Sequence, residues 1–223
     1  MNFFGHAAIA ASHFHSHEPE LLPDALAELC AGAMLPDFVT MLRLSRPDVR
    51  GATCARGVAF HHRTDQAFHE LSSFLRLSRA AFAWPTLRRL PRGPARAVAH
   101  VGIEMLLDEQ MASDAAARDA YVAALVTPLS EALSFPVSGD EQRLSALRAA
   151  LLDRGATRRD LPAALVATRI RRTLSGRPRL ATDDAGEVLL AEWVETTRPA
   201  VAREAPELLA TLRVQLANFE RAK

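Results

Sequence analysis

The chain has 223 residues, 49% hydrophobic and 24% charged, with a formal net charge of +1. That length suffices for one sizeable core, and so even a charge balance offers no general attraction for nucleic acid or an anionic membrane surface. Its two cysteines, Cys30 and Cys54, make neither a CxxC pair nor a disulfide framework, which points to a reducing, cytoplasmic compartment.

Taken in order, the opening segment 1–6 lacks the basic start and apolar run of a signal peptide. No apolar run approaches the ~20 residues that span a bilayer. Alanine, leucine and arginine dominate and clusters of β-branched residues are few, so helix is expected nearly throughout. The spacing predicts a short helix over 2–14, with His13, His15 and His17 in its frayed end. A second helix starts near Pro23 and runs towards Gly32. The segment 32–38 holds a break at Pro36, which sets Asp37 at the start of the next helical turn. Residues 45–57, with Pro47, Asp48, Gly51 and Gly57, read as a loop.

From Val58 a long helix is expected, ending before Pro85. Pro91 and Pro94 mark a break, and a further helix runs from about Ala95 towards Asp114. Helices follow over 115–125, 129–133, 140–154, 161–174, 185–197 and 199–222. Asp140 is a plausible N-cap, as is Thr157 or Asp160 for the next helix. No repeat and no alternating strand pattern is present, so the expected fold is a single all-α domain over 1–223.

All eight histidines lie within the first 100 residues, which places function in the 1–110 half and leaves the C-terminal helices as scaffold or substrate platform. Two stretches carry the chemistry. His61, Asp65 and His69 are spaced i, i+4, i+8, and His100, Glu104 and Asp108 repeat that spacing. Residues four apart share one face of a helix, so each stretch presents a column of imidazole and carboxylate groups. Two such columns facing each other would assemble a metal site of the kind found in helical cores. With His6 and Asp37, the candidate ligands are His6, Asp37, His61, Asp65, His100 and Glu104, with His69 and Asp108 beside or beyond the ion. These donors suit one or two divalent ions, Mn, Fe or Zn, and the absence of Cys ligands argues against a structural Cys-type zinc site. Two ions would clamp the oxygens of a phosphoester, with Arg63 balancing charge on the phosphoryl group. The plainer alternative for any one His and carboxylate four apart is a surface pair. A solvated loop is the plainer account of His13, His15 and His17, as a small core residue is of Cys30.

Several short motifs carry a family resemblance. The segment 1–6, Met-Asn-Phe-Phe-Gly-His, resembles the MNFLAH opening of acyl carrier protein phosphodiesterases. The segment 32–38 is similar to their GNLLADF element, 57–65 to their G-I-x-x-H-x-R-x-D helix, and 176–180 to their R-R-P-R-L element. The resemblance implies an all-helical fold related to the HD-domain phosphohydrolases, a divalent metal (typically Mn), and hydrolysis of the phosphodiester that joins 4′-phosphopantetheine to acyl carrier protein. By position, His6, Asp37, His61 and Asp65 take the places of the family's motif residues, and Arg63 matches. Where the family carries an Asp followed four residues later by Asp-His, this chain has His100, Glu104 and Met105, and His69 stands where the family has a further Asp. The arginine runs, Arg88-Arg89, Arg158-Arg159 and Arg169-Arg171-Arg172, would suit an acidic partner such as acyl carrier protein. The segment 32–38, with His6 before it and His100 and Glu104 after it, also looks like the zinc-dependent phospholipase C and P1-type nucleases, whose N-terminal Trp ligand is missing here. A helical protein that binds an ion without turnover is the alternative from another class.

Overall fold

Strong helix formers recur along the chain, and the fold follows them. The computed structural model describes residues 1–154 and 160–221. Nine α-helices lie among the described residues: α1 (Phe3–His17), α2 (Pro23–Leu42), α3 (Ala52–Glu70), α4 (Ser72–Phe82), α5 (Arg92–Met111), α6 (Ala115–Val126), α7 (Asp140–Arg154), α8 (Ala163–Ser175) and α9 (Asp184–Arg221). Two short antiparallel strands, β1 (Asp48–Val49) and β2 (Leu133–Ser134), pair Asp48 with Ser134 and Val49 with Leu133. The all-α class expected from composition is the class adopted. The chain divides into two compact units: an N-terminal unit of Asn2–Ala67, Met111–Thr157 and Arg213–Lys223, and a second unit of Met1–Met1, Phe68–Gln110 and Arg158–Leu212.

In the N-terminal unit, α2 packs on α1 and α6, and α6 on α7. Phe4, Phe14, Leu29, Met34 and Phe60 are fully buried, each contributing about 1.5–3 kcal/mol of apolar burial. A seam of small residues lets the backbones come close. The Cys30 thiol donates to the Ala7 carbonyl across 3.6 Å. A Cβ on Gly57 would stand 2.1 Å from the Leu29 carbonyl oxygen, and one on Gly32 would stand 2.3 Å from that of Cys54. No side chain fits at either place. The Glu28 carboxylate accepts from the Cys54 N–H at 3.1 Å, which satisfies an otherwise unpartnered donor in the first turn of α3.

In the second unit, Trp193 on α9 is fully buried and its indole N–H donates to the Ala81 carbonyl at 3.1 Å. It lies so close to α5 that a Cβ on Gly102 would stand 2.4 Å from its ring. Buried Glu109 pairs with Arg198 at 3.1 Å, and Arg198 also donates to the Leu161 carbonyl. Neither residue drew attention in the sequence, because 89 positions separate them.

Several boundaries differ from expectation, each for a local reason. α1 continues to His17, and His13 is buried against Phe60, with ring centroids 5.0 Å apart; it is no solvated loop residue. α2 runs through Pro36 without the predicted break. An interior proline costs a helix about 3 kcal/mol or more through its lost N–H and ring clash, and burial of Met34, Leu35 and Phe38 around it offsets that. The expected loop over 45–57 instead contains β1 and the first turn of α3. The expected long helix from Val58 splits at Leu71, which is extended (ψ 125) and buried. α5 ends at Met111, short of Asp114, whose carboxylate caps α6 by accepting from Ala116 N–H. The segment 129–133 makes a single turn and then enters β2. Asp140 opens α7, but its carboxylate accepts from Ser45 N–H and O–H. Pro162, not Asp160, precedes α8, and Thr157 lies outside the described residues. Finally, the two helices expected over 185–197 and 199–222 are one, α9 passing unbroken through Pro199.

The uninterrupted α2 also revises the expectation that no segment reaches membrane-spanning length. Its 20 residues, with a mean hydropathy of 1.4 over the best window, are long and apolar enough to cross a bilayer, and half of that window is buried. A core helix packed on two neighbours passes the same test.

Candidate metal centre

The site in the N-terminal unit grows out of the small-residue seam. Gly57 on α3 touches Leu29 and Ala33 of α2. One turn further along each helix stand His61 and Asp37, four residues beyond Gly57 and Ala33 respectively, on the same faces. The Ala33 carbonyl lies 2.9 Å from His61 Nδ1. A carbonyl can only accept, so Nδ1 carries the proton and Nε2 presents its lone pair. Holding one ring nitrogen on a backbone carbonyl is how proteins orient a histidine that ligates metal through the other. His6, fully buried on α1, packs against His61 with ring centroids 3.9 Å apart and planes tilted by 35°. Ligand atoms of His6, Asp37 and His61 all lie within 4.8 Å of one another. Asp65, one turn past His61, has Oδ1 3.9 Å from His6 Nε2 and is about 42% exposed.

Burial pushes the His61 imidazole down to about 4, against the opposite pull of the Ala33 carbonyl and Asp65. It is therefore neutral at pH 7, the form that binds a cation. Three donors from three different helices, two imidazoles and a carboxylate, form a set suited to Zn, Mn or Fe in the divalent state.

The second unit holds another group. His69, His100 and Glu104 also keep ligand atoms within 4.8 Å of one another. Burial alone would raise the Glu104 carboxyl, but the Met1 amino group at 2.9 Å and hydrogen bonds from His100 and His69 hold it well below the usual carboxylate range. The contact with the Met1 amine was not anticipated from sequence; nothing in local spacing joins positions 103 apart.

The two expected columns are thus regrouped. The unit boundary falls within α3 between Ala67 and Phe68, so His61 and Asp65 join His6 and Asp37, whereas His69 joins His100 and Glu104. Asp108, buried one turn beyond Glu104, is outside both three-residue groups. Arg63 sits two residues after His61, roughly 160° around the helix from it, and its guanidinium lies over the Phe60 ring at 5.8 Å. His62 is exposed. His17 lies away from both groups, its ring stacked on His13 and its Nδ1 at the His13 carbonyl. No family model, curated protein or solved structure matches the chain.

Proposed function

We propose that this chain is a metal-dependent phosphodiesterase of the kind its motifs resemble, acting on the phosphopantetheine ester of acyl carrier protein or on a related acidic phosphoester. One observation carries this reading: His6, Asp37 and His61, on three helices and far apart in sequence, bring their ligand atoms together in the N-terminal unit. They would hold one divalent ion, Mn, Fe or Zn, with Asp65 as the adjacent carboxylate. Such an ion supplies Lewis acidity towards a phosphoryl oxygen and lowers the pKa of water. The chain's own part is to hold His61 neutral and aimed through the Ala33 carbonyl, and to bury His6 so that its geometry is fixed. Asp65, 42% exposed, is the member of the cluster placed to exchange a proton with solvent.

An acidic partner is favoured by the arginines. Arg88, Arg89, Arg92, Arg96, Arg177 and Arg179 are exposed and make no ion pair among the described residues. Arg88 and Arg92 border a cavity of about 320 Å³ floored by Phe82, Leu87 and Leu90. The test is hydrolysis of bis-p-nitrophenyl phosphate with added Mn or Zn, followed by release of phosphopantetheine from holo acyl carrier protein measured by mass. His61→Ala is expected to lower either rate at least 100-fold. Metal binding to the His6 group without turnover on either substrate would leave a metal-binding protein and no hydrolase.

A further inference from the structure

We propose that the second unit carries a cation site of its own, built from His69, His100 and Glu104, for a small divalent ion of the zinc class. The three atoms concerned form a nearly equilateral triangle: His69 Nε2 to His100 Nε2 is 3.1 Å, His69 Nε2 to Glu104 Oε1 is 3.2 Å, and His100 Nε2 to Glu104 Oε1 is 3.1 Å. Hydrogen bonds from the two rings to Glu104 Oε1, which also accepts from the Met1 amino group at 2.9 Å, use two of the triangle's edges and leave the two Nε2 atoms against each other at 3.1 Å. These edges meet at about 60°, whereas a ring N–H aims along one line and a hydrogen bond weakens steeply below about 120°. If both Nε2 atoms donate to Glu104, their like N–H dipoles sit side by side only 3.1 Å apart; if one is unprotonated, its lone pair takes the place of one hydrogen bond to the carboxylate. A cation bound by these three gathered atoms replaces both ring protons, beside the Met1 amino group that Glu104 Oε1 also holds.

The dimensions agree. Tetrahedral zinc with bonds of about 2.0–2.1 Å sets its ligand atoms about 3.3–3.4 Å apart, so an ion about 1 Å above this triangle reaches all three. The frame is also held. The His69 and His100 rings are stacked within 8° of parallel with centroids 4.9 Å apart, and Phe74 meets both edge-on at 5.3 Å. Side-chain exposure of 31% for His69 and 44% for His100 leaves the ion a way in and an open coordination position. Three protein ligands with one open position is the pattern of sites that take an exogenous ligand. Arg96, exposed one turn before His100 on α5, is on the same helix face, which makes an anion the class of ligand that the open position favours.

This site stands or falls separately from the His6, Asp37 and His61 group. Zn²⁺ is titrated by calorimetry, with metal content after dialysis as a second readout, into His61→Ala and into His61→Ala combined with His100→Ala. His61→Ala is expected to retain about one equivalent of zinc, and the double variant none, with helix content by circular dichroism unchanged. Co²⁺ in His61→Ala should show the visible bands of a four-coordinate site, and these should vanish on adding His69→Gln, a second variant that keeps a polar side chain. If His61→Ala binds no zinc, or if the double variant keeps its equivalent, the site does not exist. If His100→Ala alone abolishes all binding while His61→Ala changes nothing, this site stands and the assignment of the first group falls.

Discussion

Burial decides which side chains of this chain can change charge near neutral pH. Burial pushes the Cys30 thiol up to about 12; for Cys54, burial and the neighbouring Glu28 carboxylate push it to about 11, against the pull of Arg148. Thiolate, not thiol, is the nucleophile. The native protein should therefore fail to react with Ellman's reagent at pH 8 over hours, while both thiols react in guanidinium. Fast labelling of either cysteine in the native state would contradict their placement. Asp140 makes the opposite case. The Ser45 hydroxyl and N–H, with Arg143, hold its carboxyl below the ordinary range. A group depressed in the folded state contributes stability above the unfolded value of about 3.9 and loses it as pH falls through the folded value. The thermal midpoint of Asp140→Asn should therefore lie below wild type at pH 7, and the gap should close as pH is lowered towards 2. A gap that is constant with pH would mean that the carboxylate charge plays no part.

Individual ligands were more legible than their grouping. Asp37 stands out in the sequence because it follows Pro36 in an apolar stretch, and His61 because Asp65 follows it one helical turn later. The i, i+4, i+8 columns were misleading beyond their first step. Four residues turn an α-helix through about 400°, so His69 is displaced about 80° around α3 from His61 and Asp108 by as much from His100. Drift of that size is enough to send the outer members to different neighbours.

The helices themselves show the same limit of local rules. Expectation and structure agree for α7, whose Asp140 start and Arg154 end are both flanked by clear signals. They part at Pro36 and Pro199, where a penalty readable in the sequence meets burial of neighbours that is not. Crossing points depend on glycine in a way that substitution can measure. Gly57→Ala would force its Cβ against the Leu29 carbonyl at 2.1 Å. The backbones must then separate, at a cost of about 1–3 kcal/mol or more. Because the same crossing sets His61 against Ala33 and Asp37, metal affinity should fall with it. Gly93→Ala is the control: its Cβ would meet nothing closer than 3.7 Å, and removing a helical glycine should stabilise by up to about 1 kcal/mol. Urea midpoints that fall for Gly57→Ala and hold or rise for Gly93→Ala would bear out this account of the crossing. Equal midpoints would show that α2 and α3 are free to move apart.

Over the whole molecule, composition made the helical class legible because alanine, leucine and arginine act everywhere, whereas the division into two units depends on contacts between distant segments that no window of sequence contains. The candidate metal sites give that molecule a measurable thermodynamic handle. A ligand that binds only the folded state stabilises it by RT ln(1 + [L]/Kd), about 2.7 kcal/mol at one hundred times Kd. For a chain of this length each kcal/mol shifts Tm by about 2–4 °C. Mn or Zn at that excess should therefore raise the melting temperature of the chelator-treated protein by roughly 5–10 °C, and EDTA should reverse the rise. In His6→Ala the part of the shift due to the N-terminal unit should disappear, because removing one of three ligands leaves the ion too weakly held to distinguish folded from unfolded chain. A metal-induced shift of the same size in His6→Ala and wild type would mean that the buried imidazole on α1 packs against His61 without ever serving a cation.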